Sequence, residues 1–252
     1  MKIAFSDYDG TLAVPGEGVP AENIDAIHAW RSAGNKFGIV TGRDHSLIAM
    51  ETAAYEIPVD FYICCNGAAI HDTAGNAVAL THLSRTAMKQ FFASKHVRTY
   101  EGGMLFFTDA RAYSYRLHAD VSPSGLTPLD RVEDALNLEN VVQMGMRFAG
   151  RAETLAAFAA IDADFPDTFT GNINRQFLDL NTAGVNKSTG IADLVRRSGW
   201  EDAELLIIGD DRNDLAMIEA YHGFTVARAQ PFMHEAARAV YDSVGAMLRD
   251  HM

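Results

Sequence analysis

Strand-like and helix-like segments alternate at both ends of the chain, and this alternation limits the fold more than any other feature. Near the amino end, the apolar runs KIAF, KFGIV and DFYICC are separated by helical patterns over residues 20–32 and 44–55. From Lys187 onward the order is helix, strand, helix and strand, with ELLIIG and FTVA as the strands. Strands that alternate with helices are typical of a doubly wound parallel sheet. We therefore predict an α/β core built from both ends of the chain.

The middle of the chain follows a different pattern. Helix-like segments are interposed there among the strand-like runs MLFFTD, AYSYRLH, NVVQMGMRFAG and QFLDLN, with the loop ADVSPSGLTP in the middle. This pattern predicts an α+β insert whose sheet is largely antiparallel. We therefore predict two domains, a core formed by residues 1–83 and 180–252 and an insert formed by residues 84–179.

Charge and cysteine content narrow the class of protein. The 252 residues carry a formal net charge of −12, so no basic surface favours nucleic acid or an anionic membrane. No apolar stretch is long enough to span a bilayer, and Asp7 interrupts the first one too early for a signal peptide. Cys64 and Cys65 are adjacent in a strand-like run, where successive side chains face opposite sides, so we expect buried free thiols. These features predict a cytoplasmic protein.

Two aspartates, Asp7 and Asp9, follow the first predicted strand in the sequence DYDGT. Residues two apart in a strand point the same way, so the two carboxylates share one side, and Gly10 lets the chain turn away from the sheet. Like charges this close favour a cation or a shared proton between them. An exposed Asp-Gly turn without any chemistry explains the same residues, so this pair alone does not decide the function.

A second acidic cluster, GDDRND, follows the predicted strand ELLII and contains Asp210, Asp211 and Asp214. Ligands of open parallel sheets bind beyond the carboxyl ends of the strands, which is where this cluster falls. Oxygen ligands select a hard cation such as Mg²⁺. A helix N-cap with acidic residues in the first turn is the alternative. Three acids at the predicted ligand-binding edge favour the metal.

Two further clusters fit a phosphate group. Thr41 and Gly42 follow the second predicted strand, where a hydroxyl and an unobstructed backbone N–H form an anion site. Lys187 opens a predicted helix and supplies a point charge. Singly, Thr41 is explained as a helix cap and Lys187 as a solvated lysine. All four clusters at the strand ends or at a helix start together favour phosphate chemistry.

A carboxylate can attack phosphorus and form an aspartyl phosphate, which divides a difficult hydrolysis into two steps. Each pair of like charges about 4 Å apart costs roughly 4 kcal/mol at an effective dielectric constant of 20, so a phosphate that meets Asp7 needs neutralising. Mg²⁺ and Lys187 would supply that neutralisation. Asp9 would protonate the leaving oxygen and later activate water.

The clusters DYDGTL, VTGR, NKS and GDDRND resemble the four motifs of the haloacid dehalogenase (HAD) superfamily, in the same order. The flanking sequences ICCNGAAI and GVNKSTGI are similar to the Cof-type branch, subfamily IIB, which carries an α+β cap at this position. The resemblance implies a Rossmann-like core with a cap domain of the C2B type. It also implies a Mg²⁺-dependent phosphatase of small phosphorylated metabolites, often sugar phosphates.

The resemblance also implies a role for each motif residue. Asp7 would be the nucleophile and a metal ligand, and Asp9 the acid/base, with its backbone carbonyl on the metal. Asp210 would be the protein's other metal ligand, and Asp214 would support the site from outside the coordination sphere. The residues expected to bind the phosphoryl group are Thr41, the Gly42 amide, Lys187 and Asn213.

The sequence departs from the family pattern at two places. Tyr8 stands between the first two aspartates, where the family usually has an aliphatic residue, and we expect it to face away from the site. The segment VARAQPF (226–232) stands where the family tends to have an Asn-Ala pair after the last core strand. A substrate contact made there in the family is therefore not predicted for this chain.

Two other functions compete with a phosphatase. A phosphomutase or other phosphotransferase uses the same nucleophile, but the insert shows no paired basic cluster for a second phosphate. A non-catalytic phosphate-binding regulator of the receiver type is smaller, and its acceptor aspartate does not lie in an Asp-x-Asp after the first strand. The sequence predicts neither the particular substrate nor the oligomeric state.

Overall fold

The computed structural model describes residues 1–109, 111–117 and 126–252, and the chain forms two compact units. The core unit comprises Met1–Val78 and Asn186–Met252, and the inserted unit comprises Ala79–Val185. The sequence-based boundaries were placed a few residues away, after residues 83 and 179. That the insert acts as a cap stays a prediction.

The elements follow in an order close to that expected from the sequence. The helices are α1 (Ala21–Ser32), α2 (His45–Ala54), α3 (Arg85–Ala93), α4 (Lys95–Arg98), α5 (Arg151–Asp164), α6 (Lys187–Ser198), α7 (Leu215–Tyr221), α8 (Pro231–Ala236) and α9 (Val244–Asp250). The strands are β1 (Lys2–Ser6), β2 (Lys36–Val40), β3 (Phe61–Cys64), β4 (Ala69–Asp72), β5 (Ala77–Leu80), β6 (Met104–Thr108), β7 (Ala112–Tyr115), β8 (Thr127–Pro128), β9 (Val141–Arg147), β10 (Phe169–Asn174), β11 (Phe177–Thr182), β12 (Glu204–Gly209), β13 (Phe224–Val226) and β14 (Ala239–Tyr241).

One eight-stranded sheet, in the order β14-β13-β12-β1-β2-β3-β4-β5, forms the centre of the core unit, and the boundary between the units falls within β5. The strands from β14 to β3 are parallel, and β4 runs antiparallel to β3. The predicted fold class, a doubly wound parallel sheet with an α+β insertion, is confirmed. The topology places β1 between β2 and β12, so the three strand ends that carry the acidic and Thr-Gly clusters are neighbours.

Helix α1 shows how the core unit holds its helices on the sheet. Its apolar residues Ile27 and Trp30 are fully buried, and the Trp30 indole N–H donates to the backbone oxygen of Lys36 at 2.8 Å. This bond ties the end of α1 to the start of β2. The chain leaves the helix through Gly34, whose φ of +83° is a conformation that favours glycine.

A six-stranded sheet, in the order β10-β11-β9-β6-β7-β8, forms the inserted unit as far as the structure describes it. Its neighbouring strands are antiparallel except β7 and β8, as expected for an α+β insert. The unit has its own apolar core, whose fully buried members include Phe91, Phe106, Met144, Leu178 and Leu180. An independent core of this kind is what defines a separately packed unit.

Three details of the insert differ from the sequence-based expectation. The helix expected over RTAMKQFFASKH is interrupted at Ser94, an extended residue whose hydroxyl donates to the Phe91 oxygen at 2.6 Å. Strand β10 was not predicted at all. The strand expected over AYSYRLH ends at Tyr115, and its last residue and most of the ADVSPSGLTP loop lie outside the described residues.

Across the described ranges, none of the helices combines the length and the apolar character needed to cross a bilayer. Both cysteines are buried thiols outside any disulfide, as predicted.

Candidate active site

The predicted acidic and Thr-Gly clusters meet at one edge of the core sheet. Strand β1 ends at Ser6, and the Asp7 amide continues the pairing by donating to the Ile208 oxygen at 3.0 Å. Asp7 is therefore held beside Asp210, which follows β12. On the other side of β1, Thr41 directly follows β2. All three side chains are buried.

Lys187 lies at the centre of this edge and is fully buried. Its ammonium group donates to Asp7 Oδ1 at 2.6 Å and to Asp214 Oδ1 at 2.5 Å. A capping box fixes its backbone, because the Asn186 side chain accepts from the Thr189 amide while the Thr189 hydroxyl accepts from the Asn186 amide. The first residue of α6 is thus held in position beside Asp7.

Asp214 is held by hydrogen bonds on both carboxylate oxygens. One oxygen accepts from Lys187, and the other accepts from the backbone amides of Asp210 and Asp211 at 2.9 and 3.1 Å. These bonds hold the chain that carries Asp210 in a tight turn. The geometry therefore suits Asp214 to orient Asp210 and Lys187.

The carboxylates of this cluster repel one another. Burial and the Asp214 carboxylate raise the pKa of Asp7 well above its usual range, although Lys187 acts in the opposite direction. Burial and Asp214 likewise raise the pKa of Asp210 to about 6, although the Thr11 hydroxyl donates to it at 3.0 Å. Burial alone would lower the pKa of Lys187, but Asp214 and Asp7 outweigh burial and raise it. One buried ammonium thus faces three buried carboxylates.

This arrangement fits a divalent cation. Asp7, Asp210 and Asp214 each offer an oxygen, and these oxygens lie within 4.8 Å of one another. With all three acids ionised, Lys187 neutralises only one charge, and a divalent ion would neutralise the other two. Hard carboxylate oxygens are the ligands that Mg²⁺ prefers. Because both oxygens of Asp214 are engaged, Asp7 and Asp210 are the better candidates for direct ligands.

The turn after Asp9 passes directly against this cluster. Gly10 has a φ of +92°, and a Cβ built on it would lie 2.3 Å from Asp210 Oδ2. Only glycine therefore allows the chain to turn here without displacing Asp210.

We predict that Gly10→Ala lowers the free energy of unfolding more than Gly16→Ala does. Gly16 has a similar φ of +82° but nothing within 4 Å of its would-be Cβ, so it reports the conformational cost alone, about 1–2 kcal/mol. The clash with Asp210 should add about 1–3 kcal/mol in Gly10→Ala. Urea unfolding of both variants measures the difference, and equal losses would contradict a close contact between this turn and Asp210.

Asp9 has a partner that the sequence analysis did not assign. Both of its carboxylate oxygens accept from Arg43, with Nε to Oδ2 at 2.7 Å and Nη2 to Oδ1 at 2.6 Å. A bidentate pair of this kind fixes orientation as well as charge. The position of Arg43 directly after Thr41 and Gly42 was the available signal, because it lies in the same loop as the phosphate cluster.

Arg43 is in turn held by two residues. Its Nη1 donates to Glu51 on α2, and its guanidinium carbon lies 5.1 Å from the centre of the buried Tyr8 ring. Burial and a hydrogen bond to Glu51 raise the pKa of Tyr8, so its hydroxyl stays protonated and donates. Tyr8, the first departure from the family pattern, therefore packs against the arginine that binds Asp9.

The predicted phosphate-binding residues occupy the loops around this edge. The Thr41 hydroxyl accepts from the Arg43 amide at 3.2 Å, and Gly42 lies between these two residues. The Asn213 amide donates to Asn66 Oδ1 at 3.2 Å, whereas its Oδ1 is buried and has no hydrogen-bond partner among the described residues. Asn66 uses one N–H of the Asn213 amide, and the same nitrogen carries a second N–H that can donate to another acceptor.

The chain is similar to known proteins in sequence and in fold. The family model described as haloacid dehalogenase-like hydrolase matches residues 4–245. The pyridoxal phosphate phosphatase YbhA of Escherichia coli is 23% identical over 100% of this chain and 98% of its own length. The putative phosphatase YxeH of Bacillus subtilis is 27% identical over 94% of this chain and 91% of its own length.

Solved structures of haloacid dehalogenase-like proteins have the same fold as this chain. The HAD subclass IIB sugar phosphatase BT4131 aligns with a TM-score of 0.84 and 22% identity, covering 99% of this chain and 97% of that one. A haloacid dehalogenase-like hydrolase from Bacillus subtilis aligns with a TM-score of 0.88 and 17% identity over the full length of both chains. The chain belongs to the haloacid dehalogenase-like hydrolases. The predicted family and the prediction that the protein is an enzyme are confirmed.

Proposed function

We propose that the protein is a Mg²⁺-dependent phosphatase that removes the phosphate group from small phosphorylated metabolites of the cytoplasm through an aspartyl phosphate on Asp7. The observation that carries the proposal is the buried contact of Asp7 with Lys187 beside Asp210 and Asp214. The buried carboxylates repel an anion such as a phosphate group. Asp7 is suited to meet that group only when a bound cation offsets the repulsion.

The first half of the reaction forms a bond between Asp7 and phosphorus. A carboxylate oxygen of Asp7 attacks the phosphorus atom, and the bond from phosphorus to the leaving oxygen breaks. Asp9 gives that oxygen a proton, so the product leaves as a neutral alcohol. When bound, Mg²⁺ would be held by Asp7, Asp210 and the Asp9 carbonyl oxygen, and it would neutralise charge on the phosphoryl oxygens.

The second half restores the enzyme. Asp9, now a carboxylate, takes a proton from water, and the water oxygen attacks the phosphorus of the aspartyl phosphate. Phosphate leaves and Asp7 is regenerated. Lys187 holds Asp7 in place and offsets negative charge, and Thr41 with the Gly42 amide would bind the phosphoryl oxygens. Arg43 must release or share the Asp9 carboxylate, because both oxygens are bound in this structure.

Turnover of p-nitrophenyl phosphate with and without Mg²⁺ tests this proposal. We expect hydrolysis that EDTA abolishes and that added Mg²⁺ restores, because the three carboxylates repel an anionic substrate until a cation binds. Calcium serves as a matched control, since it carries the same charge but takes more ligands in a looser geometry. Hydrolysis that proceeds unchanged in EDTA would contradict a metal-dependent mechanism.

The substrate class rests on the relatives. Those named above include a pyridoxal phosphate phosphatase and a sugar phosphatase, which supports small phosphorylated metabolites, and sugar phosphates in particular, as substrates here. A panel of sugar phosphates, nucleotides and phosphorylated cofactors, assayed by release of inorganic phosphate, identifies the preferred one. Transfer of the phosphoryl group to a second sugar, rather than to water, would favour a phosphomutase instead.

A further inference from the structure

Arg228 occupies the second place at which the sequence departs from its family pattern. It follows β13 in the segment VARAQPF, and its guanidinium reaches the turn that follows Asp9. Nε donates to the backbone oxygen of Gly10 at 2.7 Å, and Nη2 donates to the backbone oxygen of Thr11. The planar fork of an arginine holds two neighbouring carbonyl groups in a fixed geometry, whereas a lysine offers a single nitrogen on a flexible stem.

The two carbonyl groups belong to the turn that packs against Asp210. The first lies on Gly10, whose would-be Cβ is 2.3 Å from the Asp210 carboxylate. The second lies on Thr11, whose hydroxyl donates to Asp210 Oδ1 at 3.0 Å. The peptide group immediately before them carries the Asp9 carbonyl oxygen, which is a proposed metal ligand. Arg228 therefore fixes the backbone beside two of the proposed ligands.

The segment that carries Arg228 is itself anchored to the same site. The Gln230 amide donates to the backbone oxygen of Asp210 at 3.2 Å, and the Ala229 amide donates to Val226 at 2.9 Å. The segment 228–230 thus bridges two chain segments that flank the acidic cluster: the Arg228 side chain holds the turn after Asp9, and the Gln230 amide holds the loop after β12. A segment that holds both can set the spacing of their oxygen atoms.

The positive charge of Arg228 repels a bound cation. Charge therefore does not explain why an arginine lies beside the acidic cluster. Burial lowers the pKa of Arg228, while the carboxylates of Asp210 and Glu17 act in the opposite direction. A guanidinium within the field of Asp210 repels a divalent ion at that carboxylate. Removal of the charge alone would therefore tighten metal binding, whereas loss of the two hydrogen bonds would loosen the turn and weaken it. The two roles therefore predict changes of opposite sign in the affinity for the metal.

We propose that Arg228 is a positioning residue for the divalent-cation site, which it aligns by holding the Gly10 and Thr11 carbonyl groups. The inference rests on the proposed function only in requiring that the wild-type protein binds a divalent cation. It requires no particular substrate.

Binding of Mn²⁺ to the full chain without substrate tests this inference, because electron paramagnetic resonance measures the free ion directly. We expect the Kd for Mn²⁺ to rise about tenfold or more in Arg228→Ala, as is typical when a residue that orients metal ligands is lost. Arg228→Lys keeps the charge without the fork and should also bind Mn²⁺ more weakly than wild type. Arg238→Ala is the matched control. It removes an arginine that stacks on Phe224, 5.8 Å from the ring centre, and it should leave the Kd within about twofold.

Urea unfolding in EDTA shows which variants are folded before the metal is added. A purely structural role would lower the free energy of unfolding but leave the Kd of the folded protein unchanged. If Arg228→Ala does not fold, Arg228→Lys carries the test. Mn²⁺ binding by a folded Arg228 variant as tight as in wild type, or tighter, overturns the inference.

Mn²⁺ binding and phosphatase turnover of the wild-type protein distinguish failure of the proposed function from failure of the inference about Arg228. A wild-type protein that binds Mn²⁺ but hydrolyses no phosphate ester would refute the phosphatase proposal and leave the role of Arg228 standing. A wild-type protein that binds no Mn²⁺ refutes the inference whatever its turnover.

Discussion

Asp7→Asn should abolish phosphatase turnover, with kcat falling by roughly 10⁴-fold or more, because an amide oxygen does not form the acyl phosphate on which both steps depend. The variant keeps the size of the side chain, and Lys187 keeps Asp214 as a partner. Stopped assays with p-nitrophenyl phosphate and Mg²⁺ measure the loss. Asp25→Asn, the same substitution on the exposed face of α1, is the matched control and should retain wild-type turnover.

Stability distinguishes this loss of chemistry from a loss of folding. Because the folded-state pKa of Asp7 is raised, its ionised form lowers the free energy of unfolding of the metal-free protein as the pH rises through that pKa. Asp7→Asn removes this cost, so at neutral pH in EDTA it should unfold at a temperature no lower than wild type. Substantial turnover that remains in the folded variant would remove Asp7 from the role of nucleophile.

Asp9→Asn should still transfer a phosphoryl group from p-nitrophenyl phosphate to Asp7, but it should hydrolyse the intermediate roughly 10²–10⁴-fold more slowly. The p-nitrophenolate leaving group needs little protonation, whereas the attacking water needs a base. We therefore expect the aspartyl phosphate to accumulate. Acid quenching followed by intact-mass measurement detects one added phosphoryl group on the variant.

The bidentate pair with Arg43 is broken by the same substitution, so a control for that loss is needed. Asp60→Asn breaks a pair of equivalent geometry that lies outside the cluster. In this pair Arg31 donates two hydrogen bonds to Asp60, at 2.8 and 2.9 Å. It should not accumulate phosphoenzyme. If Asp9→Asn traps no more aspartyl phosphate than wild type, Asp9 is not the base of the second step.

Local patterns were sufficient to predict the core sheet and the edge at which the acids meet. β2 was predicted with its observed bounds, and α1 begins and ends within one residue of its prediction. Such segments succeed because their period and their end signals are contained in the segment itself. The meeting of Asp7 with Asp210 followed from one topological rule, that parallel strands present their carboxyl ends at the same edge.

β10 was missed because its sequence, FTGNIN, carries residues that strands usually avoid. Buried amides explain how the strand tolerates them: Asn172 donates to Asn181 on β11, and Asn181 donates to the Val142 oxygen on β9, both at 2.9 Å. Helix α9 was missed for a similar reason, since its Gly245 amide is bound by Asn23 of α1. Partners this far apart in sequence leave no local signal.

The site residues that the sequence did not assign share this character. Arg43 and Arg228 were both visible in the motifs, but their partners lie on other segments, in Asp9 and in the turn after it. A single sequence shows that an arginine is present, not which carboxylate or carbonyl group it reaches. The charge pattern thus predicted which carboxylates take part in the reaction, whereas the residues that hold them were found only in the fold.

The split of the core unit has a consequence for the order in which the protein is made. Strand β1 pairs on one side with β2 and on the other with β12, which is synthesised about two hundred residues after it. Until β12 and the loop after it have been made, β1 has an unpaired edge and Asp7 lacks Asp210 and Asp214. The nascent chain should therefore be catalytically silent, and exposed to mispairing along that edge, until its last quarter has joined the sheet.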